Sequence, residues 1–375
     1  MTNRIGVRDY SMGLALLAIW AFFFVANSNF LAPRNFSMLM IEMSINAILA
    51  LGMLLIIVSG QIDLSVGSGL GLVGGIASVL VFQHSWPAGM AMLTATLAGL
   101  AIWTFMGALI AYQRIPAFII TLGGLLIFKG AFWKVIGNAT IPVVAGGQSN
   151  LYSLLTTYYF PPAGGVVLGA VVAGVVGFSS WRARCRRQAR GLGVEDFEPW
   201  FLKIVVFAQA VLLLVIMLNQ FRGVPLPFAL LVLLSFVVHF LSRNTPFGRY
   251  LYATGGNEEA ARISGIPTNR IIVGAYALMG LFVALSGFLQ TAYAGASTTT
   301  LGELMELDAI AACVIGGASL RGGRGTVLGV LFGALIMASL LNGMTLLAVS
   351  PEIKYIARGS ALALAVWLDI RLAKS

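Results

Sequence analysis

Twelve apolar segments of 16 to 25 residues follow one another along this chain, at 12–31, 43–60, 64–83, 88–112, 116–136, 163–181, 201–219, 225–241, 271–291, 304–319, 326–347 and 352–370. Each is close to the roughly 20 residues needed to cross a hydrocarbon core, where every backbone polar group must find its partner inside the segment. That leaves helices. Of the 375 residues 59% are hydrophobic and only 10% charged, against about 25% charged in soluble domains. The expectation is an all-α polytopic membrane protein of about 10–12 transmembrane helices in a single domain over 1–375. Segment 304–319 is the weakest of the twelve. Glu303, Glu306 and Asp308 crowd its start, which suits a broken or re-entrant helix, so ten full crossings with irregular pieces fit as well as twelve.

The charges orient the array. With the N-terminus inside and every segment crossing, Arg4, Arg8, Arg114, Arg182, Arg184, Arg186, Arg187, Arg190, Lys203, Arg243, Arg249, Arg262, Arg270, Arg321, Arg324, Arg371 and Lys374 fall on the inner side. These are 17 of the 23 Lys and Arg residues, the bias that membrane insertion favours. Both termini are then cytoplasmic. The net charge of +10 reports topology and contact with anionic lipid, and the chain holds no basic, aromatic-rich soluble module for nucleic acid. Residues 1–31 read as an uncleaved first span, because the apolar run is long and many spans follow.

Several chemistries are missing from the sequence. Gly322-Gly323-Arg324-Gly325-Thr326 lacks both the spacing and the lysine of a phosphate loop, and neither a metalloprotease motif nor a nucleophile elbow occurs. The chain reads as having no enzyme activity and no nucleotide, cofactor or metal site of its own. Cys185 and Cys313 lie in unlike surroundings and predict no disulfide; His84 and His239 read as surface residues. Trp86, Trp103, Trp133 and Tyr158 read first as interfacial anchors and only second as sugar contacts.

A faint internal repeat is present. Gly67, Gly71 and Gly75 recur every fourth residue shortly after Asp63, and Gly325, Gly329 and Gly333 do so after Asp308. Glycine at this spacing lines one helix face and lets backbones approach closely in lipid. The two sets fall in opposite orientation, as in an inverted repeat, with halves at roughly 43–136 and 271–370. In Ser59-Gly60-Gln61-Ile62-Asp63-Leu64-Ser65, two spans meet with almost no loop between them. Asp63 and Ser65 read as caps of the span beginning at Leu64. Glu306 and Asp308 read likewise as helix-start residues, with a place beside a substrate path left open, and the spans otherwise hold too few acids for a proton relay.

One polar stretch breaks the apolar pattern. Within 242–270, Asn257 can cap a helix whose first turn carries Glu258 and Glu259; Ala260 and Ala261 favour helix, Gly265 suits the left-handed closing position, and Pro267 forbids continuation. A helix of two turns is not stable alone in water. It must dock on something, and its small side chains allow close approach by a partner.

Three blocks carry a resemblance over nearly the whole chain: Gln61 to Ser68, Tyr252 to Arg262 with Gly-Gly-Asn-Glu-Glu-Ala-Ala at its centre, and Leu307 to Gly317. In this order they resemble the permease subunits of sugar importers of the ATP-binding-cassette type. The Arg-rich loop at 182–190 and the segment Asn219 to Pro227 are similar to the xylose branch more than to the shorter ribose branch. The resemblance implies a multi-pass protein of the bacterial inner membrane and a homodimer of permeases. It also implies a cytoplasmic ATP-binding subunit that consumes the ATP and a periplasmic sugar-binding protein. Residues 257–265 would be the helix that enters a groove on the ATPase, so that Asn257, Glu258, Glu259, Ala260, Ala261 and Gly265 couple the two. An ion-gradient-driven secondary sugar transporter would account for the spans but leave the capped loop helix without a task, and a membrane-embedded enzyme would need a catalytic cluster that is not visible.

Overall fold

The computed structural model describes the backbone of residues 7–144 and 146–372 and the side chains of 12–144 and 146–367. Arg4 and Lys374 lie outside the described residues, and the side chains of Arg8 and Arg371 do as well. Fifteen helices follow in order: α1 Val7–Ala26, α2 Pro33–Val58, α3 Val66–Phe82, α4 Ala88–Gln113 and α5 Ala117–Val135; then α6 Leu151–Thr157, α7 Pro162–Ala189, α8 Phe197–Asn219, α9 Leu226–Asn244 and α10 Pro246–Gly256; and finally α11 Glu258–Ile263, α12 Thr268–Ala294, α13 Met305–Ile315, α14 Val327–Leu346 and α15 Pro351–Leu372. Two short antiparallel pairs accompany them. Ile141–Pro142 (β1) pairs with Ala296–Ser297 (β4), and Tyr159–Phe160 (β2) with Val224–Pro225 (β3).

Among the described residues eight helices are long and apolar enough to cross a membrane: α2, α4, α5, α7, α8, α9, α12 and α14. The terminal helices α1 and α15, of 20 and 22 residues, also have the length. Two helices do not. At 1.5 Å per residue the 11 residues of α13 span about 16 Å, and the 17 of α3 about 25 Å, against a core of about 30 Å. The expectation of a broken segment at 304–319 is met. The full crossing expected at 64–83 is corrected: that helix begins only at Val66, because residues 59–65 run as non-helical chain into the bundle. The span expected at 12–31 likewise ends at Ala26, since Pro33 at the first position of α2 restarts the helix after a 3-10 turn at Ser28–Leu31.

α2 is the axis of the bundle, with an apolar surface buried over nearly its whole length, and α12 runs beside it. The neighbours around these two repeat. α4 packs along α12 and α14 along α2; α3 lies against α4, α5 and α12, while α13 lies against α14, α15 and α2. Thus α2–α5 and α12–α15 have matching partners, and their senses are opposed: α2 ends, and α12 begins, at the end of the molecule that carries α11. Close backbone approach makes this packing possible. A Cβ at Gly329 would collide with the Gly316 carbonyl, and one at Gly333 with the Ala312 carbonyl. A Cβ at Gly71 would meet the Leu301 carbonyl and the Phe132 ring of α5, and one at Gly75 the same ring. Gly325, expected among the helix-packing glycines, instead precedes α14 with φ 157°, and Thr326 caps that helix by accepting from the Gly329 N–H at 3.1 Å.

Candidate functional site: a capped surface helix and the junction of two broken helices

The polar stretch forms two helices. Thr245 caps α10, accepting from the Gly248 N–H at 3.2 Å with Pro246 at the first helical position. This Thr-Pro start is a local signal that the sequence reading passed over. Asn257 then caps α11, its Oδ1 accepting from the Ala260 N–H at 2.9 Å. Glu258 in the first turn meets Arg262 at 3.2 Å, an exposed i,i+4 pair that contributes about 0.3–0.5 kcal/mol. At the other end the Ile266 N–H bonds to the Ala261 carbonyl and the Gly265 N–H to the Arg262 carbonyl, both at 3.0 Å, with Gly265 at φ 83°. This is the crossed pair of bonds that closes helices on a left-handed glycine. Only Ala261 is buried; Asn257, Glu259, Ala260 and Gly265 are exposed, and Ile263, which sequence reasoning did not single out, is 82% exposed.

The root of α11 is held by backbone. Gly255, near the end of α10, lies so close to the Val58 carbonyl that a Cβ there would collide with it, and the Gly323 nitrogen would stand 2.8 Å from the same Cβ. The Gly323 N–H donates to that Val58 carbonyl at 2.9 Å. Gly60 and Gly322 close the stack around Gly255. Tyr252 of α10 donates its hydroxyl to the Gly325 carbonyl at 2.7 Å, with the Arg243 guanidinium 5.7 Å from its ring. Burial holds this phenol above its ordinary range, opposed by the Arg243 cation, so it remains a donor at neutral pH. The α10–α11 unit therefore rests on two loops at once, 59–65 leading into α3 and 316–326 following α13.

Asp63 is fully buried and does not cap α3 in the expected manner. Its Oδ1 accepts from the N–H and the hydroxyl of Ser65 at 2.8 and 2.6 Å, and its Oδ2 accepts from Trp103 Nε1 at 2.8 Å. Ser65 occupies the cap position of α3 but makes no side-chain bond to its first amides. Trp103 is correspondingly no interfacial anchor: it is wholly buried, against Gly69 and Phe128. We expect Trp103→Phe, which keeps the ring and deletes the donor, to destabilise the detergent-purified protein by about 2 kcal/mol; an unchanged thermal midpoint would show that this bond does not hold the α3 start.

The starts of α3 and α13 meet. A Cβ at Gly67 would collide with the Glu306 carboxylate and lie 2.6 Å from the Gly302 carbonyl. The chain 297–304 descends beside α3, from Ser297, whose hydroxyl is 3.1 Å from that of Ser78, past Gly71 to Gly67. Beside this junction lies a half-open cleft of about 190 Å³ lined by Ser68, Lys129, Thr299, Glu303, Glu306 and apolar neighbours. Of the four residues singled out at helix starts, only Glu306 reaches the cleft. Asp308 is buried and its Oδ2 pairs with Arg358 of α15 at 3.3 Å. One membrane acid escaped the sequence reading. Glu42 of α2 accepts from Tyr293 Oη at 2.9 Å and Asn342 Nδ2 at 3.1 Å, tying α2, α12 and α14 together. Among the described residues no cluster could hold a metal ion, and Cys185 and Cys313 are free.

A bundle of membrane-length helices, with two shorter helices meeting start to start within it, defines an all-α polytopic membrane protein. The chain belongs to the family described as branched-chain amino acid transport system / permease component, whose pattern it matches over residues 35–366. It is 40% identical to the xylose transport system permease protein of Haemophilus influenzae, covering 98% of this chain and 97% of that one. It is 39% identical to the protein of the same description from Escherichia coli K12, over 98% and 93% of the two chains. The ribose import permease protein of that strain is 33% identical over 95% of this chain and 92% of its own. No solved structure matches.

Proposed function

We propose that this chain is the membrane subunit of an ATP-driven pentose importer, with a xylose-like substrate, working as a homodimer with a cytoplasmic ATP-binding subunit and a periplasmic sugar-binding protein. The observation that carries the reading is α11, a capped two-turn helix whose Ala260 and Ile263 side chains stand exposed while its root rests on the loops of both broken helices. Full-length similarity to xylose permeases supports the sugar. Residues 242–270 form the coupling region, in which Asn257, Glu258, Glu259, Ala260 and Gly265, together with Ile263, face the ATPase, while Ala261, expected among them, is buried and seats the helix on its own chain. The α11 end is cytoplasmic, as are both chain ends, in line with the distribution of arginine and lysine. Residues 43–136 and 271–370 act as repeat halves, supported by their matching neighbours.

In this mechanism, closure of the ATPase pair pushes α11, and α10 passes the displacement to residues 59–65 and 316–326. The broken helices then shift relative to α2 and α12, exchanging access between the two faces of the membrane. Selectivity resides mainly in the binding protein, so the path makes only weak polar contacts. Uptake in vesicles with the ion gradient clamped tests this directly. Uptake that stops on ATP depletion, with the chain co-eluting with an ATPase, is the expected result; uptake that follows the ion gradient instead makes the chain a secondary transporter.

A further inference from the structure

We propose that the cleft between α5 and the chain 299–306 is a transient station for a neutral polyhydroxylated sugar, with Glu306, Ser68 and the Lys129–Glu303 pair as its contacts; this rests on the importer reading. The cleft lies where the starts of both broken helices converge, so any relative shift of α3 and α13 opens or closes it. Its volume is about 190 Å³, room for one small ring and little else. Glu306 is only 8% exposed, and a carboxylate offers acceptors alone, which suits vicinal hydroxyl donors. Ser68 already donates its hydroxyl to the Ser65 carbonyl at 3.0 Å, leaving its oxygen free to accept. Lys129 Nζ, 3.8 Å from Glu303 Oε1, supplies donors. Trp133 stands at the rim, its Nε1 bonded to the Thr299 carbonyl at 3.0 Å and its ring 5.5 Å from the Lys129 ammonium.

The mixture decides the ligand class. Two carboxylates, one ammonium and two hydroxyls interleave donors and acceptors around a small volume, so neither an anion nor a cation meets a surface of uniformly opposite sign. A neutral sugar satisfies both kinds of group through the same set of hydroxyls. The other two acids at the broken-helix starts are closed off: Asp63 is sealed beneath Trp103 and Asp308 beneath Arg358.

Two measurements test the station. In proteoliposomes holding the permease, its ATPase and its binding protein, Glu306→Gln is expected to lower the maximal rate of xylose uptake about tenfold, the loss of one charge-assisted hydrogen bond, and Glu306→Asp to restore part of it. Separately, Ser68→Cys in a Cys185→Ser background places one reactive thiol in the cleft, since Cys313 is buried. Its reaction with a small hydrophilic thiol reagent is expected to slow at least twofold, as an order of magnitude for partial occupancy, in high xylose and not in equal sodium chloride. Uptake by Glu306→Gln equal to wild type, or a thiol indifferent to xylose, overturns the proposal. The thiol measurement uses the permease alone, so it answers even where the wild-type complex moves no sugar, an outcome that would instead defeat the importer reading.

Discussion

Gly265→Trp is expected to abolish sugar uptake while leaving membrane insertion intact. The residue sits at φ 83°, where an L side chain costs about 1 kcal/mol, and a Cβ there meets nothing within 4 Å. The first side-chain atom therefore meets no part of its own chain. The indole stands instead on the exposed side of α11, where, under the proposed coupling role, it would obstruct docking on the ATPase. Uptake in vesicles and co-purification with the ATPase should both be lost, with thermal unfolding lowered only by the local strain. Wild-type uptake in this variant would remove the coupling role of α11.

Gly333→Leu is expected to lower stability by about 3 kcal/mol, the upper range for overpacking, and to reduce the yield of folded protein sharply. A Cβ at this position collides with the Ala312 carbonyl and lies 2.9 Å from the Gly316 nitrogen. Backbone cannot step aside as a flexible side chain would, so α13 and α14 must separate. Gly174→Leu in α7 is the control, since a Cβ there meets nothing within 4 Å; the same chemical change should then be tolerated. Equal thermal midpoints for the two variants would show that the α13–α14 approach contributes nothing.

What the sequence made legible was local. Asn257, Gly265 and Pro267 bound α11 within ten residues of one another, so its cap and its closing turn follow from neighbouring chemistry. The apolar segments likewise announce themselves by length. What escaped depended on distant partners. Asp63 reads as a cap because nothing nearby reveals Trp103, 40 residues on, whose indole draws the carboxylate into the interior. Glu42 stood one residue outside the span drawn at 43–60, and its partners Tyr293 and Asn342 lie 251 and 300 residues away. The shortness of α3 was hidden because Ser-Gly-Gln-Ile-Asp-Leu-Ser at 59–65 reads as a tight junction between two spans, and nothing local shows that it runs non-helically into the bundle. Ile263 was passed over because exposure, not identity, marks it.

The glycine stack at Gly60, Gly255 and Gly322 has a kinematic consequence. Its contacts are backbone on backbone, with no compliant side chain between them, so play at that joint is small. Under the proposed coupling role, a push on α11 reaches the approaches to both broken helices through this one joint, so the two are expected to move together.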